Sequence, residues 1–170
     1  PITDEILCSD IENIDLSIKD AEVLGVQDPN QYRVSYHQSQ ADADFGINAL
    51  PLLYSLSPGT EQLYVRVTSE DNPRCFDASQ SFELNILQSP VLDFPDEVFI
   101  CEDTTGVMIG EMTPQGHLSY SWDTGESTPS ISVTLAGDYT LTVTNSQAGV
   151  NCISTRTVSV IVSETPTISE

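Results

Sequence analysis

One pattern constrains this chain more than any other: an alternating apolar run, a polar turn and a cysteine, written twice. "LYVRVTSEDNPRC" (63–75) has its counterpart in "YTLTVTNSQAGVNC" (139–152). Ahead of each lies another alternating run, "YRVSYH" and "LSYSWD", which sets Tyr36 against Trp122. Behind each lies a last run, "ELNILQSP" and "SVIVSETP", closing on Pro90 and Pro166. The first cysteine of each half follows such a proline: Pro1 precedes Cys8, and Pro90 precedes Cys101. Val, Leu, Ile and Tyr alternating with Ser and Thr at period 2 make half-buried antiparallel strands, because successive side chains leave a strand on opposite faces. Such a unit, repeated with Gly, Pro, Asn and Asp between its short strands, predicts an all-β fold of two tandem β-sandwich domains. The boundaries fall at 1–89 and 90–165, with 166–170 opening a next linker. The chain then reads as a window on a longer array.

Between the halves, "QSPVLDFPDE" carries two prolines. Each fixes its own φ and disfavours helix at the residue before it, so the expected joint is semi-rigid. The repeat logic also selects disulfides. Four cysteines allow three pairings, and only Cys8–Cys75 with Cys101–Cys152 keeps each bridge inside one repeat and treats both alike. Trp122 lies between the second pair, and two placements are open to it: packed on the bridge, as in an immunoglobulin domain, or plain core.

Charge excludes several functions. Asp and Glu number 26 against five Lys and Arg, a formal net charge of −21. Lys19 is the only lysine; the arginines are Arg33, Arg66, Arg74 and Arg156. No basic groove for nucleic acid can be built from these, and an anionic membrane surface would repel the chain. No apolar run approaches the roughly 18 residues that a spanning helix needs. The start "PITDEILC" is not a signal peptide and reads as cut from something longer. The cysteines show no CxxC spacing, which argues against zinc and thioredoxin-type redox chemistry. Scattered and even in number, in an acidic Ser/Thr-rich chain, they fit disulfides in an oxidising compartment.

The stretch that looks most like chemistry is "SQADADFG" (39–46), with Asp42 and Asp44 as candidate calcium ligands. An EF-hand loop from Asp42 would need oxygen ligands at positions 5 and 12; here these are Gly46 and Leu53. A capped helical turn explains the residues better: Ser39 as N-cap, Asp42 three residues on, and Gly46 as the stop. "SIKDAEVLG" repeats the signature, with Ser17, Asp20 and Gly25 in those roles, so the first repeat is expected to carry two short helices. The acidic turns "DNPRCFD" (71–77) and "DTGE" (123–126) read as solvated hairpin turns, with weak surface calcium as the competing reading. His37 and His117 have no nucleophile in a recognisable motif, and no GxSxG, HExxH or phosphate loop occurs. Tyr32, Tyr54, Tyr64, Tyr120 and Trp122 could stack on sugars, although most of them alternate as core residues.

The run "DLSIKDAEVLGVQDPNQYRVSYHQSQADADFGINALPLLYSL" with "LYVRVTSEDNPRCFD" resembles a repeat of surface proteins from Flavobacteria and related Bacteroidota. "YSWDTGESTPSISVTLAGDYTLTVTNSQAGVNC" is similar to the immunoglobulin/PKD-like repeats beside it in those proteins. The resemblance implies two tandem immunoglobulin-like domains, the first with short helical insertions. It further implies a secreted, extracellular chain at the cell surface, associated with the outer membrane and exported by the type IX secretion machinery. The function expected is a non-catalytic stalk or adhesion segment, of cell-adhesion or gliding-motility type. The alternatives are a carbohydrate-binding module, with or without calcium, and accessory domains of a secreted hydrolase. Neighbouring repeats, the export machinery and a surface polysaccharide or other adhesion target are the expected partners. No enzyme activity, cofactor, nucleic acid or membrane insertion is expected. "DTT" (103–105) resembles that phylum's O-glycosylation signal, but three residues read better as an ordinary polar turn.

Overall fold

A computed structural model describes residues 2–10, 13–55, 58–102 and 105–164, and the chain divides into two compact units, Pro1–Gln88 and Ser89–Glu170. The first unit runs β1 (Glu5–Cys8), β2 (Ile14–Asp15), a 3-10 turn (Leu16–Lys19), α1 (Asp20–Leu24), β3 (Tyr32–His37), α2 (Gln40–Phe45), β4 (Leu53–Tyr54), β5 (Gly59–Ser69) and β6 (Phe76–Leu87). The second runs β7 (Glu97–Cys101), β8 (Val107–Gly110), β9 (Ser119–Trp122), β10 (Ser130–Val133), β11 (Gly137–Gln147) and β12 (Val150–Ser163). Both domains are all-β, and the first carries the short helices.

The two domains repeat one topology. Domain 1 has a four-stranded sheet in the order β1-β6-β5-β3 and a two-stranded sheet β2-β4. Domain 2 has β7-β12-β11-β9 and β10-β8. In each, the first strand joins the last in parallel and the remaining pairs of the large sheet are antiparallel. The match set between Tyr36 and Trp122 holds in register: Tyr36 stands opposite Val65, and Trp122 opposite Leu141. Each belongs to its domain's core. Tyr36 packs with Leu16, Leu63, Phe82 and Leu84, and Trp122 with Ile109, Val133, Leu141 and Val158. The Trp122 indole nitrogen donates to the Thr128 carbonyl at 2.9 Å, so the buried N–H is satisfied without a bridge beside it.

α2 is capped as its sequence predicts. The Ser39 hydroxyl oxygen accepts from the Asp42 N–H, its O–H donates to the Asp42 carboxylate at 2.7 Å, and Gly46 closes the turn in the left-handed region. At α1 the cap differs from the one predicted. Helical structure begins earlier, at Leu16, and the Asp15 carboxylate rather than Ser17 caps it, accepting from the Ser17 N–H and hydroxyl at 3.0 and 2.7 Å. A charged acceptor one turn ahead outcompetes the hydroxyl for the first exposed N–H groups.

Part of the proline-bearing joint belongs to domain 2. Ser154 donates to the Pro90 carbonyl at 2.6 Å, and Arg156 donates to the Leu92 carbonyl at 2.7 Å and pairs with Asp96. Phe94 is buried in the domain 2 core. Residues 90–96 are therefore bound along β12 by side chains that the strand pattern alone marks only as outward-facing. Pro166, residues 166–170 and the first two residues of the 103–105 motif lie outside the described residues.

Candidate functional site

The cysteines occupy matched places at the two ends of each large sheet. Cys8 ends β1 beside Leu87, and the next residue, Ser9, donates its N–H to the Leu87 carbonyl at 3.0 Å. Cys101 ends β7 beside Ser163, and Glu102 donates to the Ser163 carbonyl at the same distance. Cys75 lies in the turn that leads into β6, where its carbonyl accepts from the Ser69 N–H and its sulfur from the Asn72 amide at 3.3 Å. Cys152 is the third residue of β12, opposite Asn145, and is buried.

This register rules out both predicted bridges. Cys8 pairs alongside the last residue of β6 while Cys75 precedes its first. At about 3.4 Å per residue the two lie roughly 40 Å apart along the strand, against the 7 Å or so a disulfide can span. Cys101 and Cys152 are held apart in the same way by the length of β12. Cys8 and Cys152 are instead the disulfide-bonded cysteines, and Cys75 and Cys101 carry thiols on exposed residues. The repeat correctly identified which cysteines are equivalent. It mistook equivalence within a unit for proximity.

The remaining candidates divide. Asp42 and Asp44 do not converge: Asp42 accepts from Ser39 and from Asn48 at 2.9 Å, while Asp44 accepts from Gln40 at 2.8 Å. The hydrogen bonds from Ser39 and then Asn48 hold the Asp42 carboxyl below its ordinary range. Among the described residues no three His, Cys, Asp or Glu side chains group as metal ligands. In the acidic turns, Asp77 accepts from the Ser79 N–H, and the backbone of Trp122 donates to the Glu126 carbonyl. Of the aromatic residues, Trp122 is core, Tyr120 packs against that core, and Tyr54 donates its hydroxyl to Glu61. His117 is exposed.

Three arrangements were missed in the sequence. His37 is fully buried, with Nδ1 2.8 Å from the Ile47 carbonyl and Nε2 3.0 Å from the Ser35 hydroxyl. The carbonyl can only accept, so Nδ1 is the donor to it. The Ser-x-His spacing on a strand was the available signal, since it puts both side chains on one face. Lys19 is buried against Glu5 at 2.8 Å and Glu22 at 3.3 Å and donates to the Thr3 carbonyl. Burial works against its charge, and Glu5 and Glu22 outweigh that, holding its pKa above the ordinary value. A solitary lysine among 26 carboxylates was the signal there. The third is a cleft of about 460 Å³ on domain 1, lined by Ile2, Val23, Tyr32, Cys75, Phe76 and Gln80 among others.

Fold and cysteines together define a class: an all-β chain of two equivalent domains whose disulfide chemistry does not lie within either repeat's own predicted pair. Its family follows from the sequence of the first half. The chain belongs to the family described as the Flavobacterium inter-domain disulphide bond domain, whose pattern matches residues 4–90. No curated protein matches the chain. Among solved structures, it is similar to a Bacteroides ovatus mixed-linkage glucan utilization locus protein, SGBP-B, in complex with a mixed-linkage heptasaccharide. That match has 14% identity and a TM-score of 0.28, and covers 94% of this chain and 43% of that one. Drosophila N-cadherin EC1-4 gives 14% identity and a TM-score of 0.29, covering 78% and 42%. The chain spans less than half the length of either. Among the described residues no helix is long and apolar enough to cross a membrane.

Proposed function

We propose that this chain is a non-catalytic structural segment of a secreted cell-surface protein, of stalk or adhesion type, in which a Cys8–Cys152 disulfide fastens one immunoglobulin-like domain to the next. One observation carries the reading: each domain has a cysteine at either end of its large sheet, and the bonded ones are the late cysteine of one domain and the early cysteine of the other. The family's description, an inter-domain disulphide, supports it. Such a bond does for a joint what a core does for a domain. It removes conformations from the unlinked state, by roughly 4–5 kcal/mol in the chain-entropy model for a loop of more than a hundred residues. Export through the type IX machinery, outer-membrane association and a role in gliding or adhesion belong to the same proposal, on the strength of the flavobacterial family.

Non-reducing peptide mapping tests it. A linked pair of peptides holding Cys8 and Cys152 is expected, and reduction should expose the 88–92 junction to protease while each domain stays folded. A bridge within either repeat, or no bridge at all, would overturn the joint. Saturable binding of a soluble polysaccharide by the intact chain would instead favour the carbohydrate-binding alternative.

A further inference from the structure

We propose that the cleft on domain 1 is the seat of the segment that leads into β1, an extended stretch joined ahead of Ile2 and lying along β6 as residues 90–94 lie along β12. The proposal goes beyond the stalk reading and does not depend on the Cys8–Cys152 bond.

The two domains match pair by pair. In domain 1, Val65 stands opposite Gln80 and Val67 opposite Asp77; in domain 2, Leu141 stands opposite Arg156 and Val143 opposite Ser154. Val65 and Leu141 are matched in turn by their other partners, Tyr36 and Trp122. Gln80 and Asp77 therefore occupy the places of Arg156 and Ser154, the two side chains that hold the lead-in of domain 2. Counting back along the parallel pairs, Glu5 beside Leu84 and Val98 beside Val160, puts Ile2 in the place of Pro95. The places of 90–94 in domain 1 thus belong to the positions ahead of Ile2.

Burial shows what a lead-in does. In domain 2, Leu92 packs against the core and borders one small cavity with Val143, which is fully buried, while Phe94 enters the core. Arg156 and Ser154 are half-buried. In domain 1 the matching Val67 is only partly buried, and Gln80 and Asp77 are exposed. All three line the cleft of about 460 Å³, with Ile2 in the same lining and Val23 of α1 forming part of it. The cleft lies over the very stretch of sheet that the second domain covers with its own chain. Its volume falls in the range of clefts that hold ligands.

The lining also specifies the occupant. An apolar side chain belongs over Val67, where Leu92 lies in domain 2. Arg156 and Ser154 both donate to lead-in carbonyls, those of Leu92 and Pro90. The Gln80 amide can donate in the same way. The Asp77 carboxylate only accepts, so it calls for an N–H or a cationic side chain in place of a carbonyl.

The chain extended by Lys-Val-Leu-Asp ahead of Pro1 supplies such a segment in register, with the lysine in the place of Pro90 and the leucine in that of Leu92. A Gly-Ser-Gly-Ser extension is the control. Nuclear Overhauser contacts are expected between the added leucine methyls and those of Val67. Amide exchange over residues 65–69 is expected to slow more than tenfold relative to the control. Gln80 is exposed, so Gln80→Ala leaves the fold intact, and in the extended chain it should cut that slowing at least threefold. Equal exchange in the two extended chains, leucine contacts elsewhere, or slowing that Gln80→Ala leaves untouched would overturn the proposal.

Discussion

Gly110 shows how little room a sandwich core leaves at one residue. It ends β8 at φ +105°, and a methyl group there would lie 2.5 Å from the Pro129 carbonyl oxygen and 2.6 Å from Trp122 Cζ2. Both the backbone conformation and the tryptophan demand glycine. Gly110→Ala is expected to destabilise domain 2 by about 3 kcal/mol or more, the sum of positive-φ strain and overpacking. Trp122 is the only tryptophan, so a red shift of its emission at lower denaturant concentration is the direct measurement. Domain 1 has a comparable single-residue device in Arg66. It donates to the Ala43 and Asp44 carbonyls at 2.7 and 2.9 Å, satisfying the end of α2 with a cation. No local sequence signal marks that role, because Arg66 lies 22 and 23 residues from the carbonyls it binds.

Elements were legible where the determinants are local. The alternating runs became β3, β5, β6, β9, β11 and β12, and α2 was readable residue by residue because a cap, a carboxylate and a glycine act within one turn. Ser39→Ala is accordingly expected to cost about 1 kcal/mol, through loss of the acceptor for the Asp42 N–H. The cost should be unchanged between chelator and millimolar calcium in thermal denaturation; a calcium-dependent rise in Tm abolished by replacing Asp42 and Asp44 with Asn would return that stretch to the metal reading. The cysteine pairing was not legible, for a reason of the same kind. Equivalence is a matter of sequence, but which ends of a strand face one another depends on a parallel pairing between residues 5–8 and 84–87, made across most of the domain. The helix start at Leu16 was missed because Asp15 and Ser17 are both competent caps and only their geometry ranks them.

At the scale of the whole molecule, acid should act unequally on the two domains. In domain 1, Asp15, Glu22, Asp28, Asp42 and Asp77 all have carboxyl pKa values below the ordinary range, chiefly through hydrogen bonds from Ser17, Thr3, Asn30, Ser39 and Ser79 respectively. In domain 2, Glu126 is held down by Thr124. A depressed carboxylate stabilises the fold above its unfolded pKa, about 4, and that contribution is lost as pH falls through the folded value. Domain 1 should therefore lose stability faster than domain 2 below about pH 4, beyond the relief of charge repulsion that both share. Amide exchange in β5 and β6, compared with Trp122 fluorescence across pH 2–6, would decide it, and equal slopes would contradict it. The parallel pairing has a last consequence, for a chain that carries tension. In each domain the strand nearest its N-terminal end lies beside the strand nearest its C-terminal end and points the same way, β1 along β6 and β7 along β12. Once the Cys8–Cys152 bond is reduced, pulling the ends apart slides these neighbours lengthwise, so their backbone hydrogen bonds are strained together in shear and cannot be opened one after another like a zip. While the bond is intact, it carries the load past β6 and β7.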